Sequence, residues 1–164
     1  MSNFKVDRKS YNLYDVGGTR VQRRKWIHIM SEADVMIYTF DVACAGDARI
    51  DDDYDAMQEQ VTVLKALLES PPLDKVHAII IFTKVDRLTA QAMSRLLSSE
   101  LFPTYKGDIQ STGEILDHLA REIASWVKEP RKRITFWQAS IARSSTELAD
   151  VALTALEQLD TDMN

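Results

Sequence analysis

Cysteine is nearly absent from this sequence, since Cys44 is the only one among 164 residues. A single cysteine cannot form a disulfide within the chain, which suits a protein that folds in a reducing compartment. Cys44 follows an apolar stretch, so we interpret it as a small core residue rather than a reactive thiol. A fold held together by disulfides is therefore excluded.

Long apolar runs and excess positive charge are also absent. No run approaches the roughly 20 apolar residues that a bilayer-spanning helix needs, and MSNFKVDRKS at the amino terminus has no signal-peptide core. The net charge is -5, which gives no global electrostatic case for binding nucleic acid. No lipidation motif is present at either end of the sequence. We expect a cytoplasmic protein without a transmembrane segment.

Glycine is scarce, with five residues at positions 17, 18, 46, 107 and 113. No Gly-x-x-x-x-Gly-Lys-Ser/Thr loop occurs in these residues, so the usual cradle for nucleotide phosphates is missing. The three histidines are too scattered to indicate a metal site, and no catalytic triad can be argued. A binding or catalytic site must therefore be inferred from other residues.

The order of secondary structure indicates an α/β fold. Hydrophobic content of 45% and charged content of 27% are ordinary for one globular domain. The predicted strands are 4–6, 10–15, 33–43, 76–83 and 134–139, and the predicted helices are 51–70, 89–99, 110–128 and 144–159, with a marginal helix or ordered loop over 17–31. We predict a mostly parallel sheet with the first two strands as a hairpin at one edge.

Three short stretches follow predicted strands, where ligands of α/β proteins bind. They are Asp15-Val16-Gly17-Gly18, Lys84-Val85-Asp86 and Ala139-Ser140. Each alone could be a turn, a solvated loop or a helix cap. Together, in this order, they indicate a nucleotide site.

These stretches resemble the alpha subunits of heterotrimeric G proteins. The resemblance rests on DVGGTRVQRRKWIH at 15–28, FTKVD at 82–86, LFPTYKG at 101–107 and QAS at 138–140. It covers essentially the whole chain but only about the carboxyl-terminal half of such a subunit. It implies a three-layer Ras-like P-loop NTPase fold that lacks the phosphate-loop strand, the first helix and the inserted helical domain. We therefore expect residues 1–164 to be a partial GTPase domain, a fragment of a divergent subunit.

The resemblance implies binding of GTP or GDP with Mg²⁺. Asp15 would hold a water on Mg²⁺, and the Gly18 amide would meet the γ-phosphate. Asp86 would accept hydrogen bonds from guanine, while the aliphatic stem of Lys84 would lie over the base. Thr83 stands where the family has Asn, so one hydroxyl replaces an amide. The implied nucleotide-binding set is Asp15, Val16, Gly17, Gly18, Thr83, Lys84, Asp86 and Ala139, with the amide of Ala139 meeting the guanine carbonyl.

Thr19 stands at the position of the catalytic Gln that orients the attacking water, a role for which these proteins are a standard illustration. A Thr side chain is too short to reach that water in the same way. The transition-state arginine of the family is also not among these residues. We therefore expect slow or absent GTP hydrolysis by this member of a GTPase family, and weak nucleotide binding by this chain alone.

The basic run after Thr19 matches the second switch helix, where alpha subunits meet the βγ dimer or effectors. The implied partner-binding residues are Arg20, Arg23, Lys25, Trp26 and His28. Trp26 could instead be a core residue, and binding of nucleic acid by this run is disfavoured by the acidic remainder. The resemblance also implies a G-protein-coupled receptor as partner, an effector enzyme, and the cytoplasmic face of the plasma membrane for a lipidated full-length subunit. The alternative function is a nucleotide-free binding module that uses residues 20–31.

Two further expectations concern structure. In the family the phosphate-loop strand lies between the strands matched by 10–15 and 33–41, so its absence should leave a gap, unless the sheet closes in a new register. The acidic run at 51–53 and 55 could be a metal cluster, but we interpret it as favouring the amino end of a helix through the helix dipole.

Overall fold

The structure, a computed structural model, describes residues 2–6, 9–18, 20–23, 25–46, 56–98, 102, 104–128, 133–140 and 147–162. The strands are β1 Ser2–Val6, β2 Lys9–Leu13, β3 Val35–Asp41, β4 His77–Thr83 and β5 Ile134–Gln138. The helices are α1 Arg20–Arg23, α2 Trp26–Met30, α3 Ala56–Leu68, α4 Ala90–Ser98, α5 Thr112–Ser125 and α6 Glu147–Asp162, with short 3₁₀ helices at Val42–Gly46, Pro71–Leu73 and Val85–Arg87. Thr19 and the acidic residues of 51–55 lie outside the described residues.

The main sheet is parallel and has the strand order β3-β4-β5, with Val35 opposite His77 and Ala78 opposite Ile134. Every residue of β4 after His77 is buried. This follows from its continuous apolar sequence, HAIIIFT, which is typical of a parallel strand covered on both faces. The predicted central strand is confirmed.

Helices cover both faces of this sheet, because successive side chains of a strand point to opposite sides. Ala78, Ile80 and Phe82 of β4 enter the larger core, which α3, α4 and α5 complete. Ile79 and Ile81 face the other way and pack against α6. The predicted three-layer α/β arrangement is confirmed.

Local sequence explains where two of the helices lie. Met57, Val61 and Leu64 recur at helical spacing in α3 and are buried against the sheet. Ser111 caps the amino end of α5, and its hydroxyl accepts a hydrogen bond from the Glu114 N–H at 3.4 Å. Among the described helices, none combines the length and the apolar character that crossing a bilayer requires.

The hairpin corrects one prediction. β1 and β2 pair antiparallel, with a stacked Phe4–Tyr11 pair whose ring centroids lie 5.3 Å apart, but they form a separate two-stranded sheet. The hairpin is therefore not an edge of the parallel sheet, and the sheet has not closed in a new register. Sequence alternation shows that β1 and β2 pair with each other, but it carries no information about whether β2 also reaches β3.

Candidate functional site

The carboxyl ends of β3, β4 and β5 meet at one edge of the sheet because the three strands are parallel. Asp41 ends β3, Lys84 follows β4, and Ala139 follows β5. The structure thus brings together Thr83, Lys84, Asp86 and Ala139, which the sequence analysis assigned to the base-binding half of a nucleotide site.

Lys84 has an unusual backbone conformation. Its φ is 57°, in the left-handed region, and it is the one non-glycine residue with positive φ in the described part of the chain. Its Nζ forms an ion pair with the Asp41 carboxylate, and its side chain keeps 41% of its surface exposed. The side chain therefore runs along the carboxyl edge of the sheet, from the end of β4 to the end of β3.

Asp86 lies in the 3₁₀ helix that follows Lys84, and its side chain is exposed. One of its carboxylate oxygens accepts a hydrogen bond from the hydroxyl of Ser140, which follows β5. Sequence analysis gave Ser140 no role in binding; its position directly after Ala139 at a strand end was the available signal. The contact orients Asp86 across the junction of β4 and β5.

Two other residues of the predicted set are buried below this edge. Thr83 is 7% exposed, and its hydroxyl donates to the Phe40 carbonyl at 3.3 Å. Ala139 is 2% exposed, and its N–H donates to the Phe82 carbonyl at 2.8 Å. In the described structure both groups are engaged within the sheet, so their predicted contacts with a base stay predictions.

A groove of about 1110 Å³ separates the hairpin from β3. Asp15, Val16 and Gly18, from the phosphate-binding half of the predicted site, lie along it, as does Asp41. Lys84 and Asp86 are not part of its lining. Lys84 and Asp86 thus lie outside this groove, and Asp41 connects the two predicted halves because it lines the groove and pairs with Lys84.

The outer edge of β3 faces this groove. In a parallel ladder, alternate residues direct both main-chain polar groups to the same neighbour. The Asp34 carbonyl accepts from the His77 N–H, so Val35, Ile37, Thr39 and Asp41 direct their main-chain N–H and carbonyl groups away from β4.

At Asp41 the side-chain amide of Gln60 takes the place of a neighbouring strand. Its Oε1 accepts from the Asp41 N–H at 2.7 Å, and its Nε2 donates to the Asp41 carbonyl at 3.2 Å. The predicted gap is present, and Gln60 occupies its carboxyl end.

Tyr38 adds a further contact between β3 and α3. Its hydroxyl donates to the Gln60 carbonyl at 3.0 Å. Burial, the largest cause, raises the pKa of Tyr38 to about 12, and the nearby Arg23 charge opposes this rise. A phenol is protonated at physiological pH in any case, and the raised pKa keeps the hydrogen bond of Tyr38 into the alkaline range.

The loop after β2 is attached to the helices that follow it. Trp26 Nε1 donates to the Gly17 carbonyl at 3.0 Å, and Arg23 Nε donates to the Gly18 carbonyl at 3.2 Å. Neither glycine has a positive φ. The backbone conformation seen here thus does not itself require glycine at either position.

The predicted partner-binding residues divide into two groups. Arg23 pairs with Glu59, and Trp26 packs partly buried against the larger core, so the core alternative for Trp26 holds for part of its surface. Lys25 and His28 are exposed. For Arg20 only the backbone, as the first residue of α1, is described.

The described residues at the candidate site offer few ligands for a metal ion. Within the described ranges, no three His, Cys, Asp or Glu side chains are grouped as a metal site would require. Asp15 is an exposed carboxylate beside the groove. A single carboxylate fits Mg²⁺ only where nucleotide phosphates and waters supply the other ligands.

A family model described as G-protein alpha subunit matches residues 2–158. The chain belongs to the G-protein alpha subunit family. Its sheet and helices are accordingly those of the family's Ras-like GTPase fold.

Curated relatives of this alpha-subunit chain are similar at low identity. It is 24% identical to the guanine nucleotide-binding protein alpha-1 subunit of Caenorhabditis elegans over 134 residues, 80% of the chain and 38% of that protein. It is 28% identical to the subunit alpha of Coprinellus congregatus, over 65% of the chain and 30% of that protein. It is 29% identical to the alpha-7 subunit of C. elegans, over 66% and 31%. The chain thus spans about a third of the length of these relatives.

Proposed function

We propose that this chain binds guanine nucleotide as part of a signal-transducing G-protein alpha subunit. The observation that carries the proposal is the position of Asp86, an exposed carboxylate where the carboxyl ends of β4 and β5 meet. Ligands of parallel α/β sheets bind at this edge. Family membership supplies the ligand class, and Asp86 supplies the group that reads the base.

A carboxylate distinguishes guanine from adenine by hydrogen-bond direction. Guanine has two neighbouring donors, N1–H and the N2 amino group, whereas the corresponding ring nitrogen of adenine is an acceptor. An ionised carboxylate only accepts, and it has about four lone-pair sites. Ser140 uses one site of Asp86, so the carboxylate keeps capacity for both guanine donors. The stem of Lys84 would pack on the face of the base.

The phosphate half of the proposed site is the loop beside the groove. Asp15 would hold Mg²⁺ through a water, and the N–H of Gly18 would donate to a phosphate oxygen. Mg²⁺ would neutralise phosphate charge when bound. The groove lining carries five carboxylates, Asp15, Glu32, Asp34, Asp41 and Glu59, against one guanidinium, Arg23. Phosphates bound there would therefore depend on added positive charge, and we expect nucleotide affinity to require Mg²⁺.

We further propose that hydrolysis is slow because Thr19 replaces the Gln of the family. In a complete alpha subunit that carries Gln at this site, Gln→Thr should reduce single-turnover hydrolysis of GTP while leaving GTP binding intact. Unchanged turnover would contradict this assignment.

Binding of fluorescent GTPγS to the 164-residue chain, with and without Mg²⁺, tests the proposal directly. We expect saturable binding that Asp86→Ala abolishes and that GDP, but not ADP, competes for. Asp117→Ala removes an exposed carboxylate of α5 and should leave binding unchanged. A folded chain that shows no binding, or binding indifferent to Asp86→Ala, would reject the proposal.

A second candidate function is partner binding by residues 20–31. Val21 is 80% exposed, and Lys25 and His28 of the same segment are exposed. One exposed valine alone would need no explanation, so the support is that this exposed segment matches the partner-binding second switch helix of the family. The expected partners are the βγ dimer, a receptor or an effector enzyme. Val21→Asp should weaken binding of purified βγ dimer in biolayer interferometry. Val151→Asp, in the core between α6 and the sheet, would report only on folding. Equal βγ binding by wild type and Val21→Asp would reject this surface.

A further inference from the structure

The main-chain N–H, the carbonyl and both carboxylate oxygens of Asp41 each have a hydrogen-bond or ion-pair partner. Its Oδ1 accepts from the Ala43 N–H at 3.0 Å, and its Oδ2 pairs with Lys84. Its main-chain N–H and carbonyl are both hydrogen-bonded to the Gln60 side chain, at 2.7 and 3.2 Å. The carboxylate is therefore a fixed anchor at the carboxyl end of β3.

Lys84 depends on such an anchor. A lysine side chain on a protein surface samples many rotamers, and ordering it costs conformational entropy. Here the backbone is fixed in the left-handed region and the ammonium group is fixed by Asp41, one strand away. The aliphatic stem between these two points is thus ordered while 41% of the side-chain surface remains exposed.

We infer that Asp41 is a positioning residue of the guanine site: it holds the stem of Lys84 along the sheet edge, as a preformed surface for the base that Asp86 reads. This inference rests on the proposed function. Asp41 acts through Lys84, and it contributes to affinity because the stem is ordered before the ligand arrives.

The experiment is an NMR titration of the full chain with guanosine, an uncharged nucleoside whose binding does not depend on phosphate contacts. Asp41→Ala should weaken guanosine binding by up to about tenfold, because guanosine would then have to order the Lys84 side chain as it binds. Lys84→Met keeps an apolar stem without the ammonium group, and it should weaken binding by a similar factor. The double variant should be no weaker than either single variant, since both changes break the same contact.

Two variants separate positioning from folding. Asp41→Asn keeps one of the two side-chain oxygens, so it can still accept from either Ala43 or Lys84, and it should recover part of the lost affinity. Asp117→Ala removes a carboxylate on α5, away from the sheet edge, and should bind guanosine as the wild type does. Circular dichroism and urea midpoints of every variant report whether the fold is intact.

Each of the following results would overturn the inference about Asp41. Guanosine binding that is unchanged or tighter in Asp41→Ala overturns the inference, because the ion pair would then be neutral or competitive. Additive losses in the double variant overturn it as well. A wild-type chain that binds neither guanosine nor GTPγS overturns the proposed function and this inference with it, whereas binding that is lost only in Asp86→Ala overturns this inference alone.

Discussion

Arg23 and Glu59 form an ion pair between α1 and α3, with 2.6 Å between Nη1 and Oε1. The same guanidinium donates through Nε to the Gly18 carbonyl at 3.2 Å. Arg23 thus connects the loop after β2 to a helix of the main core. Both side chains are mostly buried, with 27% and 14% of their surfaces exposed, so solvent screens the pair only in part.

We expect Glu59→Gln to lower the free energy of unfolding by about 1–2 kcal/mol, because it leaves a partly buried guanidinium without its counter-ion. Urea denaturation of wild type, Glu59→Gln, Arg23→Met and the double variant measures the coupling. A double variant whose loss equals the sum of the single losses would show that the pair contributes no coupling energy.

Tyr38 gives the fold a defined response to alkaline pH. Burial raises the pKa of this phenol from its ordinary value of 10.0 to about 12 in the folded chain. Between these values the folded state binds more protons than the unfolded state, so stability falls as pH rises. The contribution is fully present below pH 10 and is lost through pH 12, with a magnitude on the order of 2 kcal/mol.

Tyr38→Phe provides the measurement for this response. At pH 8 the variant should be less stable than the wild type, because the hydrogen bond to the Gln60 carbonyl is lost. From pH 10 to 12 the difference in unfolding free energy should shrink. Parallel stability profiles of the two proteins over this range would contradict a raised Tyr38 pKa.

The sequence predicted those features whose signal is local. The apolar run of β4 and the helical spacing in α3 each lie within one segment, so their burial could be anticipated. The positions of Lys84 and Asp86 at a strand end followed from the same segments. Assignment of roles at that edge then came from the family resemblance.

Features that depend on distant residues could not be predicted. Asp41 and Lys84 are 43 residues apart, and Arg23 and Glu59 are 36 apart. Strand register decides the first pairing and helix packing decides the second, and patterns within single segments contain neither. Asp41 did give one signal, since it is a charged residue within the largely apolar run 33–43 that was predicted as a strand. The separation of the hairpin from β3 had no local signal, and the gap was expected only from the family resemblance.

Gln60 should stabilise the outer edge of β3. Gln60→Ala removes both hydrogen bonds to the main chain of Asp41 and leaves those groups without that partner. The expected loss is about 1–3 kcal/mol of unfolding free energy, together with faster hydrogen exchange at the Asp41 amide. Gln58→Ala, an exposed glutamine on the same helix, should change stability by less than about 0.5 kcal/mol. Equal effects of the two substitutions would show that the Gln60 amide does not stabilise the strand edge.

His118 is a buried polar residue whose loss should be tolerated. It is 9% exposed, its Nε2 has no hydrogen-bond partner within the described part of the chain, and its ring meets Tyr105 edge-on at 5.1 Å. Burying a polar atom without a partner is unfavourable. His118→Leu should therefore leave the free energy of unfolding unchanged or raise it by about 1 kcal/mol, after allowance for the lost ring contact.

The neighbouring Leu119 supplies the comparison for this prediction. Leu119 is fully buried, so Leu119→Ala should lower the free energy of unfolding by about 2–5 kcal/mol through the cavity it creates. Urea denaturation of both variants at pH 7 measures the contrast. If His118→Leu were as destabilising as Leu119→Ala, the imidazole would have to form a hydrogen bond that stabilises α5 against the core, because the loss of apolar contact cannot explain such a change.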